Sequence, residues 1–390
     1  VGAARLLRAA ALVLASAVAM VVFGAAPASA HGVGGIQPSN YRTTVESVTP
    51  AVRGVVLRSV DLGNRLELQN ATAHDVTVLG YDGEPYLRVG PRGTFENVHS
   101  PATYLNKSAT SVPQKLPSTA DPHAAPKWRK LSSSTTARWH DHRAHWMGTS
   151  LPGVVASNPG SSHLVQRFLI GMRYEGEPVL ARGEVLWEPG PSPWPWVGLA
   201  VALLVGGIVI GRTRRWTRIV AVALVVLIVA EAVHVVGVWG ATTQSQWSDL
   251  AQSAYSIGGI ALAALALERL VRRGGYAAAP LILCAGLFLA IAGGLADITT
   301  LSHSQLPTTL PDWLTRLAVA SVLGVGTAVA AAAALHLRAQ SRPAARAAAS
   351  PDVPPVDAAA DATASPPAPT APDPTLREAV RERSGSGGPV

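Results

Sequence analysis

The sequence predicts an all-β extracytoplasmic sandwich followed by an α-helical membrane bundle of five spans. Three observations carry that expectation. From residue 31 to about 193 the chain is polar, rich in turn residues and broken into short strand-like runs. Five long apolar segments follow, at about 196–211, 217–239, 250–270, 276–298 and 313–337. Lys and Arg between those segments fall in alternate loops only. Composition agrees: of 390 residues 48% are hydrophobic and 14% charged, and mean hydropathy is positive. That is too apolar for one soluble domain and too polar for a membrane bundle alone.

Residues 1–30 read as a secretory signal peptide. Arg5 and Arg8 precede an apolar run from about 9 to 26, and Ala28-Ser29-Ala30 closes it as a cleavage site. Cleavage after Ala30 makes His31 the first residue of the mature chain. Its α-amine and imidazole Nδ1 then chelate one metal ion in a single ring, a histidine brace that a mid-chain histidine does not provide.

Residues 31–187 are expected to form the sandwich. Runs at 54–60, 65–69, 75–79 and 85–89 are short, β-rich and separated by turn residues. Segments 165–174 and 179–187 flank Glu175-Gly176-Glu177-Pro178 and read as a hairpin. Residues 107–137, rich in Ser, Thr, Pro and Lys, read as a long loop. About 160 residues suffice for one core without disulfides. The single cysteine, Cys284, lies in an apolar run. Intrachain disulfides, blue-copper thiolate sites, CxxC redox sites and c-type haem attachment are therefore excluded from the exported part.

Residues 188–195 form a Pro/Trp linker. Trp187, Trp194 and Trp196 sit where indole rings favour the headgroup level. The membrane region, 196–338, contains the five apolar segments, most of them long enough to span a bilayer. Arg212, Arg214, Arg215 and Arg218 lie between the first two. Arg269, Arg272 and Arg273 lie between the third and fourth, and Arg338, Arg342 and Arg346 follow the fifth. Loops 240–249 and 299–312 contain no Lys or Arg. The positive-inside rule then puts the protein in the cell membrane with the sandwich outside and the C-terminus in the cytoplasm. The net charge of +8 is largely this topological excess, so the bilayer is the implied partner and nucleic acid is not. Residues 339–390, rich in Ala, Pro and Asp, read as a disordered cytoplasmic tail.

Eight of the eleven histidines fall in the exported part. Three of them crowd Trp139-His140-Asp141-His142-Arg143-Ala144-His145-Trp146-Met147. On a strand, His140 and His142 point to one face, a common way to present two imidazoles to a metal. The expected site takes amine and Nδ1 from His31 and equatorial nitrogens from His140 and His142. His145 or Asp141 completes or orients it. Nitrogen ligands suit Cu(II) best, and Cu(I) is disfavoured because the mature chain offers only Met147 and Met172.

Zinc is the alternative metal, since three histidines with an open position make a catalytic site. That reading implies an exported zinc hydrolase, but no residue stands out as its general base, so binding is expected over catalysis. The spacing of His140, His142 and His145 matches the metallo-β-lactamase H-x-H-x-D-H signature. Ala144 replaces its aspartate, and the αβ alternation of that fold is absent. A metal-free reading also stands: a membrane-anchored interaction or structural domain whose Trp/His run is a packing or partner surface. Within the apolar segments, Glu231 and His234 share a helix face at i,i+3, and Tyr255 and Asp297 fall at similar depth. Ionisable residues there face a cavity or one another, either as a metal or proton site or as a satisfied packing cluster.

The runs Gly80-Tyr81-Asp82-Gly83-Glu84-Pro85-Tyr86-Leu87-Arg88-Val89, Ser100-Pro101-Ala102-Thr103-Tyr104-Leu105-Asn106 and 139–147 resemble a family of uncharacterised actinobacterial exported membrane proteins. The resemblance covers the sandwich and linker and, less clearly, the spans. The layout is also similar to the CopC–CopD copper proteins, in which a sandwich with an N-terminal histidine binds Cu(II) beside a polytopic membrane part. That resemblance implies a role in copper handling or uptake with a copper-handling partner protein. It rests on His31 and the order of the parts. Gly32-Val33-Gly34-Gly35 stands where that family has Ser-x-Pro, and five spans are fewer than CopD has.

Overall fold

The structure, a computed structural model, describes residues 36–107, 115–213, 215–243 and 245–349. The expected signal peptide, His31 and the chain after residue 349 lie outside the described residues. Among the described residues ten strands form two antiparallel sheets. They are β1 (Tyr41–Thr49), β2 (Val55–Val60), β3 (Arg65–Asn70), β4 (Val76–Leu79), β5 (Pro85–Gly90), β6 (Gly93–Asn97), β7 (Trp128–Ser132), β8 (Thr136–Trp139), β9 (His163–Tyr174) and β10 (Glu177–Trp187). The larger sheet runs β1-β10-β9-β4-β5-β6-β7 and the smaller β2-β3-β8. Leu57, Leu66, Leu68 and Trp139 of the small sheet meet Val78, Val89, Ile170, Met172 and Val185 of the large one in a single core. The β-sandwich read from the sequence is present.

Strand alternation explains why these segments pair. In β10, Val179, Ala181, Val185 and Trp187 face inward while Glu184 and Arg182 face outward. The β9–β10 hairpin pairs Tyr174 with Glu177, leaving Glu175-Gly176 as a two-residue loop. Both residues have positive φ, 51° and 86°, the geometry that matches the twist of the strands it joins.

Two expectations change. The long loop read over 107–137 contains β7 and begins β8, and the chain crosses between sheets at 133–135. Thr94 Oγ1 holds that crossing by donating to Ser134 O at 2.9 Å. Second, His140 and His142 do not share a strand face. β8 ends at Trp139, and a 3₁₀ turn follows at His142–Ala144.

The helical part comprises two short helices within the β region, α1 (Ala102–Leu105) and α2 (Gly153–Ser157), then α3 (Trp194–Gly211), α4 (Trp216–Val238), α5 (Gln246–Leu289) and α6 (Asp312–Ala349). A π-helical segment, Ala290–Leu295, continues α5, and a 3₁₀ turn follows at Ile298–Leu301. Helix α6 runs past residue 338, where the disordered tail was expected to begin. Among the described residues three helices, not five, are long and apolar enough to cross a membrane: Trp216–Val238, Ser253–Leu295 and Asp312–Ala339. The difference has two physical sources. Trp194–Val209 falls short in apolar length. The expected third and fourth spans run on as one helix, broken only at Gly274 (φ 77°, ψ 172°). That break reverses the chain, because Leu289 and Phe288 of the second arm pack on Gly259 of the first. In an unbroken helix those positions would stand about 45 Å apart.

The β-domain sits directly on the helix connections. Ser39 and Gln305 exchange backbone hydrogen bonds of 3.0 and 2.8 Å. Glu188, expected in a plain linker, donates its N–H to Asn40 O and accepts at its side chain from Gln305 Nε2, both at 2.8 Å. On another edge the buried Asp61 carboxylate accepts from Thr243 N at 2.7 Å and Thr243 Oγ1 at 2.9 Å.

Candidate functional site

The histidine run is organised by a carboxylate. Asp141 is 2% exposed, and both its oxygens are engaged. Oδ1 accepts from Arg143 N at 3.1 Å and Arg143 Nε at 2.9 Å. Oδ2 accepts from Trp139 Nε1 at 2.9 Å and Arg143 Nη2 at 2.8 Å. Asp141 thus caps the 3₁₀ turn and stops β8, which is why the H-x-H pair leaves the strand. With its lone pairs committed in this way it orients the turn; the geometry is not that of a metal ligand. Arg143 also donates to Leu79 O and Gly80 O at 3.1 and 3.2 Å, and its guanidinium lies 5.0 Å from the Tyr81 ring centre.

The turn gathers the three imidazoles around His140. Ring centres of His140 and His142 are 5.5 Å apart, and those of His140 and His145 are 5.1 Å apart. The His140 Nδ1 lies 2.7 Å from Asn64 O. A carbonyl only accepts, so Nδ1 carries the hydrogen; in the neutral ring Nε2 then holds the lone pair, the tautomer that a ligating histidine with an outer-shell partner adopts. Among the described residues, however, no group of three or more His, Cys, Asp and Glu is arranged to hold a metal ion. His31, expected to form the brace, lies outside the described residues.

Groups remote in sequence complete the surroundings of the turn. Tyr81 packs against His142, 6.2 Å between ring centres, and its hydroxyl accepts from His142 N at 3.2 Å. That hydroxyl donates to Asn106 Oδ1. Burial, helped by the Asp141 charge, pushes the Tyr81 phenol far above its ordinary range, so it stays neutral. Gln166 of β9 donates to Arg143 O and His145 O at 2.9 and 3.1 Å. Thr43 of β1 donates to Ala144 O at 3.0 Å. Of the other histidines in the β-domain, His99 meets Ala125 O at 2.8 Å and His163 meets Asn158 O at 2.7 Å.

A second constellation lies in the helices. Glu231 on α4 is 1% exposed, and neither carboxylate oxygen receives a hydrogen bond of good geometry, although the Ser256 hydroxyl lies alongside. His234 Nε2 stands 3.2 Å from Asp297 Oδ2. The cluster expected from sequence is therefore assembled, but Glu231 is not satisfied within it. His234 and Asp297 line a cavity of about 210 Å³ with Ile36, Ser253, Tyr255 and Thr315.

Comparison with protein-family models, with curated proteins and with solved structures finds no match to this chain.

Proposed function

We propose that the protein is a multi-pass membrane protein whose extracytoplasmic β-sandwich binds Cu(II) for copper handling or uptake at the cell surface. The observation that carries this is the convergence of His142 and His145 on His140, with ring centres 5.1–5.5 Å apart. His31 supplies the remaining nitrogens as a brace. Thr43 supports the pairing, because it ties β1, the first strand after His31, to the histidine turn. Bound copper would supply a Lewis-acidic, redox-active centre, and Asp141 and Asn64 hold the imidazoles that face it. Zinc competes for the same nitrogens.

We read α3 and the two arms of α5 as separate crossings, which with α4 and α6 makes five spans. The loops that the β-domain grips, around Thr243 and Gln305, carry no Lys or Arg and lie outside. The cytoplasmic placement of the C-terminus follows from the same rule.

The test titrates the mature full-length chain in nanodiscs with Cu(II), and repeats it with one alanine placed before His31. Tight binding with nitrogen hyperfine structure is expected, weakened by the added residue because the amine becomes a peptide nitrogen. Binding also weakens as pH falls through the imidazole range, since the ligands must be deprotonated. Equal affinity in the extended chain refutes the brace. One observation favours a second reading, a metal-free interaction module: each of the three histidines already has a partner within the protein. A chain that emerges metal-free from copper- and zinc-replete medium supports that reading instead.

A further inference from the structure

We propose that Glu231, His234 and Asp297 form a proton-exchange site that opens on the cavity between the β-domain and the helices. Its ligand is the proton and its store is the Glu231 carboxyl. The proposal stands independently of copper binding.

The local backbone is built around Glu231. Where α5 reaches this depth it widens into the π-helical segment Ala290–Leu295, a distortion that recurs at functional sites. Gly293 lies in that widened turn. A Cβ there would meet Oε2 and Oε1 of Glu231 at 2.7 and 2.8 Å, so the missing side chain is the seat of the carboxyl. An ionised carboxylate with 1% exposure and only the Ser256 hydroxyl alongside is strongly disfavoured. A carboxyl that holds a proton is not. Among the described residues the neighbouring elements bring no free Lys or Arg to the carboxyl, and His234, three residues on, pairs with Asp297. From α5 come Ser253, Tyr255 and Ser256, and from α6 Thr315. Asp249, one turn above Ser253, is another buried acid. Arg316 on α6 is committed to Thr300 O, His303 O and Asp312.

The path to the cavity uses the two nitrogens of His234. Nε2 faces Asp297, which is 38% exposed and lines the cavity. Nδ1 is buried without a hydrogen-bond partner and shares a helix face with the Glu231 carboxyl at i,i+3, so the proposed path crosses from one to the other by a bridging water. Asp297 takes a proton at the cavity and passes it to Nε2. The imidazole releases the proton on Nδ1 through the water to a Glu231 oxygen. Each O–H or N–H bond breaks as the next forms, and one proton has moved inward; the reverse sequence returns it. Asp297 is the mouth, His234 the relay and Glu231 the store.

Infrared difference spectroscopy on the full-length protein in nanodiscs tests this. The wild type is expected to show a protonated-carboxyl C=O band at neutral pH that shifts in D₂O. Glu231→Gln, nearly isosteric, removes that band. Because His234→Gln leaves the acid in place, it keeps the band but slows its exchange with D₂O by roughly 100-fold, the scale of a lost proton-transfer group. A purely structural cluster would not produce that split. The proposal is overturned if Glu231→Gln leaves the neutral-pH carboxyl bands unchanged or if exchange is as fast in His234→Gln as in wild type. It is also overturned if millimolar Zn²⁺, Cu²⁺ or Na⁺ abolishes the band, which would make the site a metal-cation site.

Discussion

Replacing Asp141 by alanine removes the carboxylate that receives Trp139 Nε1, Arg143 N, Arg143 Nε and Arg143 Nη2. The dominant cost is the stranded guanidinium. Breaking a buried ion pair from one side costs about 3–5 kcal/mol. The Arg143 side chain is 21% exposed and keeps Leu79 O and Gly80 O as acceptors, which places the loss at the low end, about 3 kcal/mol. With a urea dependence of about 2 kcal/mol/M, the unfolding midpoint of the β-domain drops by about 1.5 M. Pulse proteolysis of the full-length chain in nanodiscs, scored on β-domain fragments, reads that midpoint. Asp141→Asn keeps an acceptor at Oδ1 and should lose about half as much. Arg143→Ala should cost at least as much as Asp141→Ala, and the double variant less than the sum. A midpoint within about 0.3 M of wild type for Asp141→Ala would refute the claim that this carboxylate holds the histidine turn.

Glu67, fully buried in the small sheet, predicts the acid behaviour of the domain. Burial alone would raise its carboxyl, but the hydrogen bonds and charges of Arg138 and Arg58 outweigh that and hold it below the ordinary carboxylate range. A carboxyl depressed on folding contributes stability that is full above the unfolded value, about pH 4.3. That stability is lost as pH falls through the folded value, so Glu67→Gln should flatten the acid limb of a midpoint-against-pH curve. In α5, Gly274→Ala should destabilise by about 1–3 kcal/mol purely through backbone strain. A Cβ there meets no atom within 4 Å, while φ stays at +77°. An unchanged thermal midpoint would show that the helix break does not need this conformation.

Much of the fold was legible, and the gaps have physical causes. The β4, β5 and β9–β10 segments announce themselves because alternate residues are apolar and a Gly-containing turn separates the last two. By contrast, β1 (Tyr41–Thr49) is rich in Thr, Ser and Glu and becomes a strand only because β10 offers it a backbone ladder. The β7 and β8 sequences carry charges that read as loop. Those charges have partners that only the folded chain supplies, Glu96 for Arg129 and Glu67 for Arg138. The histidine cluster was visible from its crowding, and its conformation was not. Whether His140-Asp141-His142 is strand or turn depends on Trp139 and Arg143 closing on Asp141. Tyr81 and Gln166 reach the cluster through pairings remote in sequence. Glu231 was conspicuous in an apolar run, but its seat on Gly293 required the π-helical turn, which residue periodicity does not reveal.

The incoming and outgoing strands of the sandwich lie side by side, with Tyr41 paired to Trp187, and both hold the same short stretch at Ser304 and Gln305. That stretch adjoins Leu306, which lines the helix cavity. Two adjacent attachments fix the direction of the domain over the helix ends, where a single tether would leave it free to swivel, and the Asp61–Thr243 contact on another edge holds it at a second point.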